Sequence, residues 1–364
     1  PTTLPRAPAA KPLAHARIGE QFVWEKNWFP VAFEKVTDKT LPTRIELFGE
    51  PIALWYDDKS AAWRAMKDAC PHRLAPLSEG RVDENGEIEC PYHGWTFKGE
   101  SGACTKIPQL DADTSVEVKS TVLAGCGGTA YAVAERQGLL WMWGTPLPTS
   151  GPEMEIPDED LIPICDALED ERFVWIDVSR DMPYSADMLL ENVLDSSHVP
   201  FTHHQTISKR ENAVAMPLRL TADGGVWGFD GEFMRDMPVG AQGEQNKKAG
   251  RQTERTTCFR APAYMHHRIR SSGLAGTDEA DDFEAGFETW TVAYATPTGP
   301  GRSRLFARFP FRFPPPPEPT SRLGKLLKPR VNLPAAVFRR LPDWINHMGQ
   351  LKVLATTTSS CRCR

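Results

Sequence analysis

Three things are missing from these 364 residues. No run of eighteen apolar residues occurs, so nothing in the chain reads as a helical membrane span. Excess positive charge is absent: 42 Lys and Arg stand against 48 Asp and Glu, a net charge of -6, which argues against general nucleic-acid binding. No disulfide framework is visible in the cysteines at 70, 90, 104, 126, 165, 258, 361 and 363, and their scatter indicates a reducing compartment. There is no internal repeat. The remainder is ordinary for a globular protein, with 40% hydrophobic and 25% charged residues. The length permits two domains, each large enough for its own core.

The strongest signal is Cys70-Pro-His72-Arg-Leu-Ala-Pro-Leu-Ser-Glu-Gly-Arg81, answered by Cys90-Pro-Tyr-His93-Gly-Trp95-Thr-Phe97. Two Cys/His pairs, seventeen residues apart, present two thiolates and two imidazoles. That donor set suits a [2Fe–2S] cluster in which histidines replace two cysteines on one iron. Neutral imidazoles leave the cluster less negative than four thiolates would, so its reduction potential rises and it can act as an electron relay. The alternative is structural zinc, since Cys2His2 also binds zinc. Zinc fingers keep their cysteines together and their histidines together, whereas here each loop carries one of each. Pro71, Pro91 and Gly94 are expected to shape two tight loops.

A second candidate centre is Glu191-Asn192-Val-Leu-Asp195-Ser-Ser-His198-Val-Pro200-Phe-Thr-His203-His204. A helix is expected from Tyr184 to about Ser197, with Met188, Leu189, Val193 and Leu194 at helical spacing. Asp195 and His198, three apart, then share a helix face. Pro200 is expected to end the helix at Val199 and to swing His203 towards His198. Two imidazoles and one carboxylate form the facial triad of non-haem Fe(II), which leaves positions for O2. His204 cannot easily share a site with its neighbour and reads as a supporting residue. His266 and His267 fall on opposite faces of an expected strand and are assigned no metal. Asp343 and His347 read as packing in a late helix.

Elsewhere, strands are expected from about Gln21 to Glu34, at Arg44–Phe48, Ile52–Tyr56, Gly138–Gly144 and Arg172–Val178. Asn85-Gly86 signals a hairpin between Arg81-Val-Asp and Glu87-Ile-Glu. Trp141 and Trp143 read as core. Residues 146–157, Pro-rich and acidic, suit a linker. Long hairpins are expected at 218–229 and 287–309. Residues 236–256 read as a polar surface excursion, and 313–317 as polyproline. The stretch 319–342 is basic and suits docking on an acidic electron donor or a membrane surface, or simple solvation.

With these residues in view, the chain resembles the Rieske non-haem iron oxygenases. Cys-Pro-His-Arg…Cys-x-Tyr-His-Gly-Trp-x-Phe is similar to their cluster motif. The resemblance implies that Cys70 and Cys90 hold one iron and His72 and His93 the other. Asn192-x-x-Asp195-x-x-His198-x4-His203 matches their mononuclear iron motif without a gap. It implies that Asp195 links His93 of one subunit to His198 of another across a homotrimer interface. Physically, such a carboxylate would fix imidazole tautomer and basicity. Read without the resemblance, Asp195 is a helix cap or surface acid.

The resemblance covers roughly residues 20–354. Trp24-Glu-Lys-Asn-Trp-Phe-Pro-Val-Ala, Gly-Ala-Cys104-Thr-Lys-Ile-Pro-Gln109 and the 191–204 string narrow it to a plant, algal and cyanobacterial group. That group includes pheophorbide a oxygenase, chlorophyllide a oxygenase and Rieske proteins of the chloroplast inner-envelope translocon. It implies an α+β fold, a β-rich Rieske domain followed by a helix-grip catalytic domain. The implied segments are 1–19, disordered or a transit-peptide remnant, 20–149 with the cluster, 150–354 with the mononuclear iron, and an aberrant tail at 355–364. It further implies ferredoxin or a similar donor, O2 and a chlorophyll-type tetrapyrrole, with one oxygen atom inserted and the other leaving as water. Residence is implied in the chloroplast, at envelope or thylakoid, or in the cytoplasm of a cyanobacterium. Membrane association is implied through a C-terminal segment that this chain stops before. Two other readings share these motifs: an aromatic O-demethylase of the vanillate or dicamba type, and a non-catalytic redox relay or sensor.

Both ends depart from expectation. The first residue is Pro1, as in a processed chain or fragment, and residues 1–19 hold Arg6, Lys11 and Arg17 without an acid. Family members carry the third iron ligand, a carboxylate, in a late Val-Leu-Glu/Asp-Asp stretch. Here Val353-Leu354 is followed by ten residues without an acid, ending Cys361-Arg-Cys363-Arg364. A reading-frame slip near residue 355 is one explanation, which sequencing of the coding region tests.

Overall fold

The computed structural model describes residues 11–12, 20–110, 113–148, 157–233, 252–273 and 282–314. Two compact units emerge, Val23–Pro163 with Thr296–Arg302, and Ile164–Ala295 with Ser303–Arg364 and Pro1–Phe22. Strand β1 (Lys11–Pro12) lies at the edge of the second unit's sheet.

In the first unit, β2 (Trp28–Phe33), β11 (Val133–Arg136) and β12 (Leu139–Trp143) form one antiparallel sheet. A second sheet runs β10 (Ala130–Tyr131), β5 (Ala62–Lys67), β4 (Glu50–Asp57) and β3 (Thr43–Leu47). The β3–β4 turn is made by Phe48 and Gly49, both at positive φ (54° and 84°), and Pro51 sits inside β4 rather than in the turn. A third, smaller sheet, β6 (Arg81–Val82), β7 (Ile88–Glu89), β8 (Thr96–Phe97) and β9 (Cys104–Lys106), carries both Cys/His loops. The expected Asn85-Gly86 hairpin joins β6 to β7. Gly86 is at φ 81°, and a Cβ there would stand 1.8 Å from Asp57 Oδ1, so no larger residue fits. Asp83 Oδ1 accepts the N–H of Asn85 and Glu87, and Trp55 Nε1 donates to Gly86 O at 3.1 Å. The turn is thereby pinned to the neighbouring sheet. Cys70 and Cys90 belong to this unit's core, packed with Ala53, Trp55, Met66, Leu77, Ile88 and Phe97. Trp141 is buried, while Trp143 stays half-buried and packs edge-on against Trp28. Helix α1 (Val116–Ala124) starts at Ser115, whose side chain caps Val118 N–H, and buries none of its residues.

The second unit is one large sheet, in the order β1, β14 (Leu218–Asp223), β15 (Gly228–Phe233), β16 (Thr253–Arg260), β17 (Tyr264–Ser271), β18 (Glu288–Gly299), β19 (Arg302–Arg308) and β13 (Asp177–Met182). A short β20 (Phe311–Arg312) also pairs β18. Helix α2 (Ala186–Leu194) lies on one face, where Leu189 and Leu190 pack against Met265, Ala293, Leu305 and Ala307. The other face is held by ion pairs, including Arg268–Glu288 at 2.6 Å and a buried Arg308–Asp177 pair at 2.8 Å. The result is the α+β arrangement expected, antiparallel sheets with few helices.

Several elements differ from the sequence expectation. The strand placed at 172–178 begins only at Asp177; upstream, Val174 makes one isolated bridge to Phe311. The polar excursion at 236–256 ends as strand, since β16 starts at Thr253. Its Glu254 pairs with Arg270, so alternate residues meet charge instead of apolar core. Helix α2 stops at Leu194, short of Ser197, because Asp195 is extended (φ -76°, ψ 98°). Pro200 does not end a helix but occupies the first turn of α3 (Val199–Thr202), where its missing N–H costs nothing. Among the described residues no helix is long and apolar enough to cross a membrane. The expected polyproline segment beyond residue 314, the basic stretch, Asp343, His347, the third-ligand region and most of the linker lie outside the described residues.

Candidate metal centres

The two cluster loops fold alike. Cys70 N–H donates to Ala75 O at 2.8 Å, and Leu74 N–H returns to Cys70 O at 2.8 Å. In the second loop Cys90 N–H donates to Trp95 O at 2.8 Å, and Gly94 N–H returns to Cys90 O at 3.0 Å. The returning residue, four places after each cysteine, takes positive φ both times: Leu74 at 59° and Gly94 at 70°. Each loop thus turns its cysteine inward and its histidine outward. Cys70 and Cys90 are each only 2% exposed, whereas His72 is exposed and His93 half-buried.

The donors gather in pairs. The two thiols are neighbours, and burial pushes the Cys70 thiol up to about 11, with Cys90 adding to the effect. A positive charge between them is the natural way to hold both as thiolates. The imidazoles of His72 and His93 have centroids 4.8 Å apart. Loss of solvation and the neighbouring His93 hold His72 below its ordinary pKa, which favours the neutral, ligating form. His93 Nδ1 is buried and has no hydrogen-bond partner, as a metal-ligating nitrogen would be. Trp95 stacks flat on His72, with centroids 4.6 Å apart, and Gln109 Nε2 donates to His93 O at 2.9 Å. Asp68 accepts from Ser78 N–H and Ser78 Oγ and pairs with Arg44, bracing the first loop from behind. Two inner thiols and two outer imidazoles fit a dinuclear cluster with two protein donors per iron. Single-ion zinc sites draw four donors to one point. Among the described residues no three His, Cys, Asp or Glu side chains converge in that way.

The second centre lies where α2 gives way to the 3-10 turn Ser196–His198 and then α3. Asp195 does not share a helix face with His198. It is the N-cap of the turn, its Oδ1 accepting Ser197 N–H at 2.8 Å, because Asp followed by two serines favours a cap over continued helix. Its other oxygen lies 4.0 Å from His198 Nδ1, and its side chain is 53% exposed. His198 Nδ1 meets the Asp195 carbonyl closely. A carbonyl only accepts, so Nδ1 carries the proton and Nε2 presents a lone pair. That Nε2 faces His203 Nε2 at 3.3 Å. Nitrogens bound about 2.1 Å from one metal ion are separated by roughly this distance. Burial and the neighbouring His198 push His203 down to about 4, so the His203 ring is neutral near pH 7 and its nitrogen is free to ligate. Such a pair suits a cation, and two imidazole nitrogens are what a facial triad takes beside its carboxylate. His204 Nδ1 accepts Arg210 N–H at 3.0 Å and fixes the following loop. Asn192 Oδ1 is buried with no hydrogen-bond partner.

Comparison with known proteins now bears on these two centres. Residues 27–122 match the family model for the Rieske [2Fe-2S] domain, and residues 259–356 match that for pheophorbide a oxygenase. The chain thus carries a Rieske domain and a pheophorbide a oxygenase domain. The chloroplastic pheophorbide a oxygenase of Oryza sativa subsp. japonica is 32% identical over 303 residues, covering 82% of this chain and 51% of that protein. The chloroplastic chlorophyllide a oxygenase of Chlamydomonas reinhardtii is 35% identical over 184 residues, 50% of this chain and 25% of that protein. Dicamba monooxygenase bound to dicamba matches in fold, with a TM-score of 0.60 at 19% identity, covering 79% of this chain and 77% of that one. The chain therefore spans about half the length of the rice relative.

Three supporting residues escaped the sequence reading. Asp68 and Gln109 carry no motif signal as loop braces. His267 is assigned no metal by the sequence and lies opposite in face to His266, as expected, yet it contacts helix α2. Its Nε2 donates to Val193 O at 3.0 Å, while His266 Nδ1 meets Tyr264 OH at 2.7 Å on the far face.

Proposed function

We propose that the chain is a ferredoxin-dependent Rieske monooxygenase acting on a chlorophyll-type tetrapyrrole, such as a pheophorbide or chlorophyllide, in a chloroplast or a cyanobacterial cell. The observation that carries this reading is the His198–His203 nitrogen pair at 3.3 Å, in a chain with Rieske loops and a pheophorbide a oxygenase match. Cys70 and Cys90 would hold the inner cluster iron, and His72 and His93 the outer. His198 and His203 would hold the mononuclear Fe(II); the late stretch in which family members carry the third, carboxylate ligand has no acid after Leu354 in this chain. Between them, these groups would supply one-electron transfer and O2 activation.

The protein's own contribution follows from the geometry. Cluster histidines at the surface let an electron donor approach the imidazole edge while the thiolates stay shielded. The Asp195 carbonyl fixes the His198 tautomer, so that Nε2 is always available as a ligand. The outward carboxylate of Asp195 is exposed enough to accept a hydrogen bond from His93 of the partner subunit, linking the two centres in a homotrimer.

The test is a single turnover. Chain reduced by ferredoxin is mixed with isotopically labelled O2 and a set of tetrapyrroles, and the products are weighed by mass spectrometry. One labelled oxygen in a tetrapyrrole product supports the reading. Label only in a small methoxylated aromatic, with formaldehyde release, moves the chain to the O-demethylases. Reoxidation without any labelled product leaves a redox relay.

A further inference from the structure

The first unit holds an open cavity of about 390 Å3 where its two larger sheets meet. Its walls are apolar: Leu47 and Ile52 come from β3 and β4, Met142 from β12, and Phe48 from the β3–β4 turn. Ile52 sits opposite Lys67 in the β4–β5 register, and Tyr131 opposite Ala65 in the β5–β10 register. Side chains alternate across a strand, so the next residues along, Ala53, Met66 and Ala130, point the other way, into the core that holds Cys70 and Cys90. The cavity and the cluster loops therefore lie on opposite faces of one sheet. Tyr131 lines the cavity and is only 7% exposed, yet its hydroxyl makes no hydrogen bond with any described residue. A buried polar group without a partner is costly unless something else supplies one. Burial and the Glu50 carboxylate raise the Tyr131 pKa, so the phenol stays protonated and can donate or accept. At the mouth Glu50 pairs with Lys67 at 2.7 Å. Glu25 also borders the cavity, and its carboxylate has no ion-pair partner among the described residues. Two carboxylates against one ammonium leave the opening net negative, beside the rings of Phe48 and Tyr131.

We propose that this cavity binds a small organic ammonium ion, its apolar body among Leu47, Ile52 and Met142 and its cationic head at the mouth with Glu25, Glu50 and the Tyr131 hydroxyl. Burial of the apolar body supplies the drive to bind. The net negative mouth selects against carboxylates, aromatic rings favour a cation beside them, and the Tyr131 oxygen accepts an N–H from the head. The Glu50–Lys67 pair is exposed, so loosening it to receive the head costs little. This site takes no part in the oxygenase reading and stands or falls apart from it.

The experiment is a calorimetric titration of the full chain with its metals, using three probes of similar shape: phenethylamine, phenethyl alcohol and phenylpropionate. The amine is expected to bind about tenfold more tightly than the alcohol, and more tightly again than the acid. Tyr131→Phe removes one hydroxyl at constant shape and is expected to weaken the amine about fivefold. Glu25→Gln and Glu50→Gln are each expected to weaken it about threefold and to narrow its lead over the acid. All three variants are expected to retain the cluster absorbance; should Tyr131→Phe lose it, Glu25→Gln, at an exposed position, decides alone. An amine that fails to saturate wild type overturns the proposal. So does an amine affinity unchanged in all three variants, which places the binding elsewhere on the chain. Tighter binding of the alcohol or the acid than of the amine overturns the ligand class, and each of these results leaves the oxygenase reading untouched.

Discussion

Leu74 and Gly94 do the same job in two loops of different sequence: each stands four residues after a cluster cysteine, adopts positive φ, and returns its N–H to that cysteine's carbonyl. Glycine takes this conformation without strain, whereas for leucine it costs about 1–2 kcal/mol. Leu74 is 75% exposed, so its side chain offers little packing in return. Leu74→Gly is therefore expected to be neutral or to stabilise by about 1 kcal/mol, after the entropy of an added glycine is subtracted. Gly94→Ala goes the other way, by about 1–2 kcal/mol or more. Its Cβ would also meet Pro108 Cγ at 3.2 Å. Thermal melts followed by the cluster's visible absorption measure both; a Leu74→Gly chain that loses the cluster first contradicts the matched-loop description.

Asp195 has two separable duties. Asn caps a helical turn about as well as Asp, so Asp195→Asn is expected to change stability by less than about 0.5 kcal/mol. It removes the charge aimed at His198 and at the proposed inter-subunit partner, and turnover should fall by about 10–100-fold with iron retained. Asp195→Ala loses the cap as well, roughly 1 kcal/mol of stability. Equal turnover in wild type and Asp195→Asn would leave the residue as a cap alone.

His203 makes the metal-free chain acid-sensitive in a defined window. Its folded-state pKa is about 4, lowered by burial from 6.5. Between those values the unfolded chain binds the proton and the folded chain does not, so stability falls as pH drops from about 6.5 towards 4. The contribution is at most about 3 kcal/mol. Urea unfolding of apo wild type and His203→Gln at pH 7.5 and 5 compares the two slopes. The variant should lose less on acidification; parallel losses contradict the assignment of His203 as a buried neutral imidazole.

The cluster loops were legible because their chemistry is written in residue type and spacing. Cys70, His72, Cys90 and His93 announce themselves, and Asn85-Gly86 announces the hairpin beneath them. Leu74 was not legible, because nothing local marks a leucine that takes positive φ to return its N–H to Cys70 O. The chain around Pro200 was misread for a specific reason. Proline disfavours helix in the residue before it, but it also suits a first helical turn, and the cap at Asp195 had already reset the count. Strand β16 was hidden because Glu254 meets Arg270 instead of an apolar neighbour, so period-two apolar patterning failed there. His267 could have been found by asking what the α2-facing side of β17 carries once its alternation is accepted.

Iron stoichiometry of the anaerobically purified chain, read together with the reduced-cluster EPR signal, tests most directly the claim that one chain carries both centres. The account predicts about three irons per chain, two in the cluster and one held by His198 and His203, with the third lost in His203→Gln. About two irons with a normal cluster signal, unchanged in that variant, would contradict it and leave an electron relay without a site for O2.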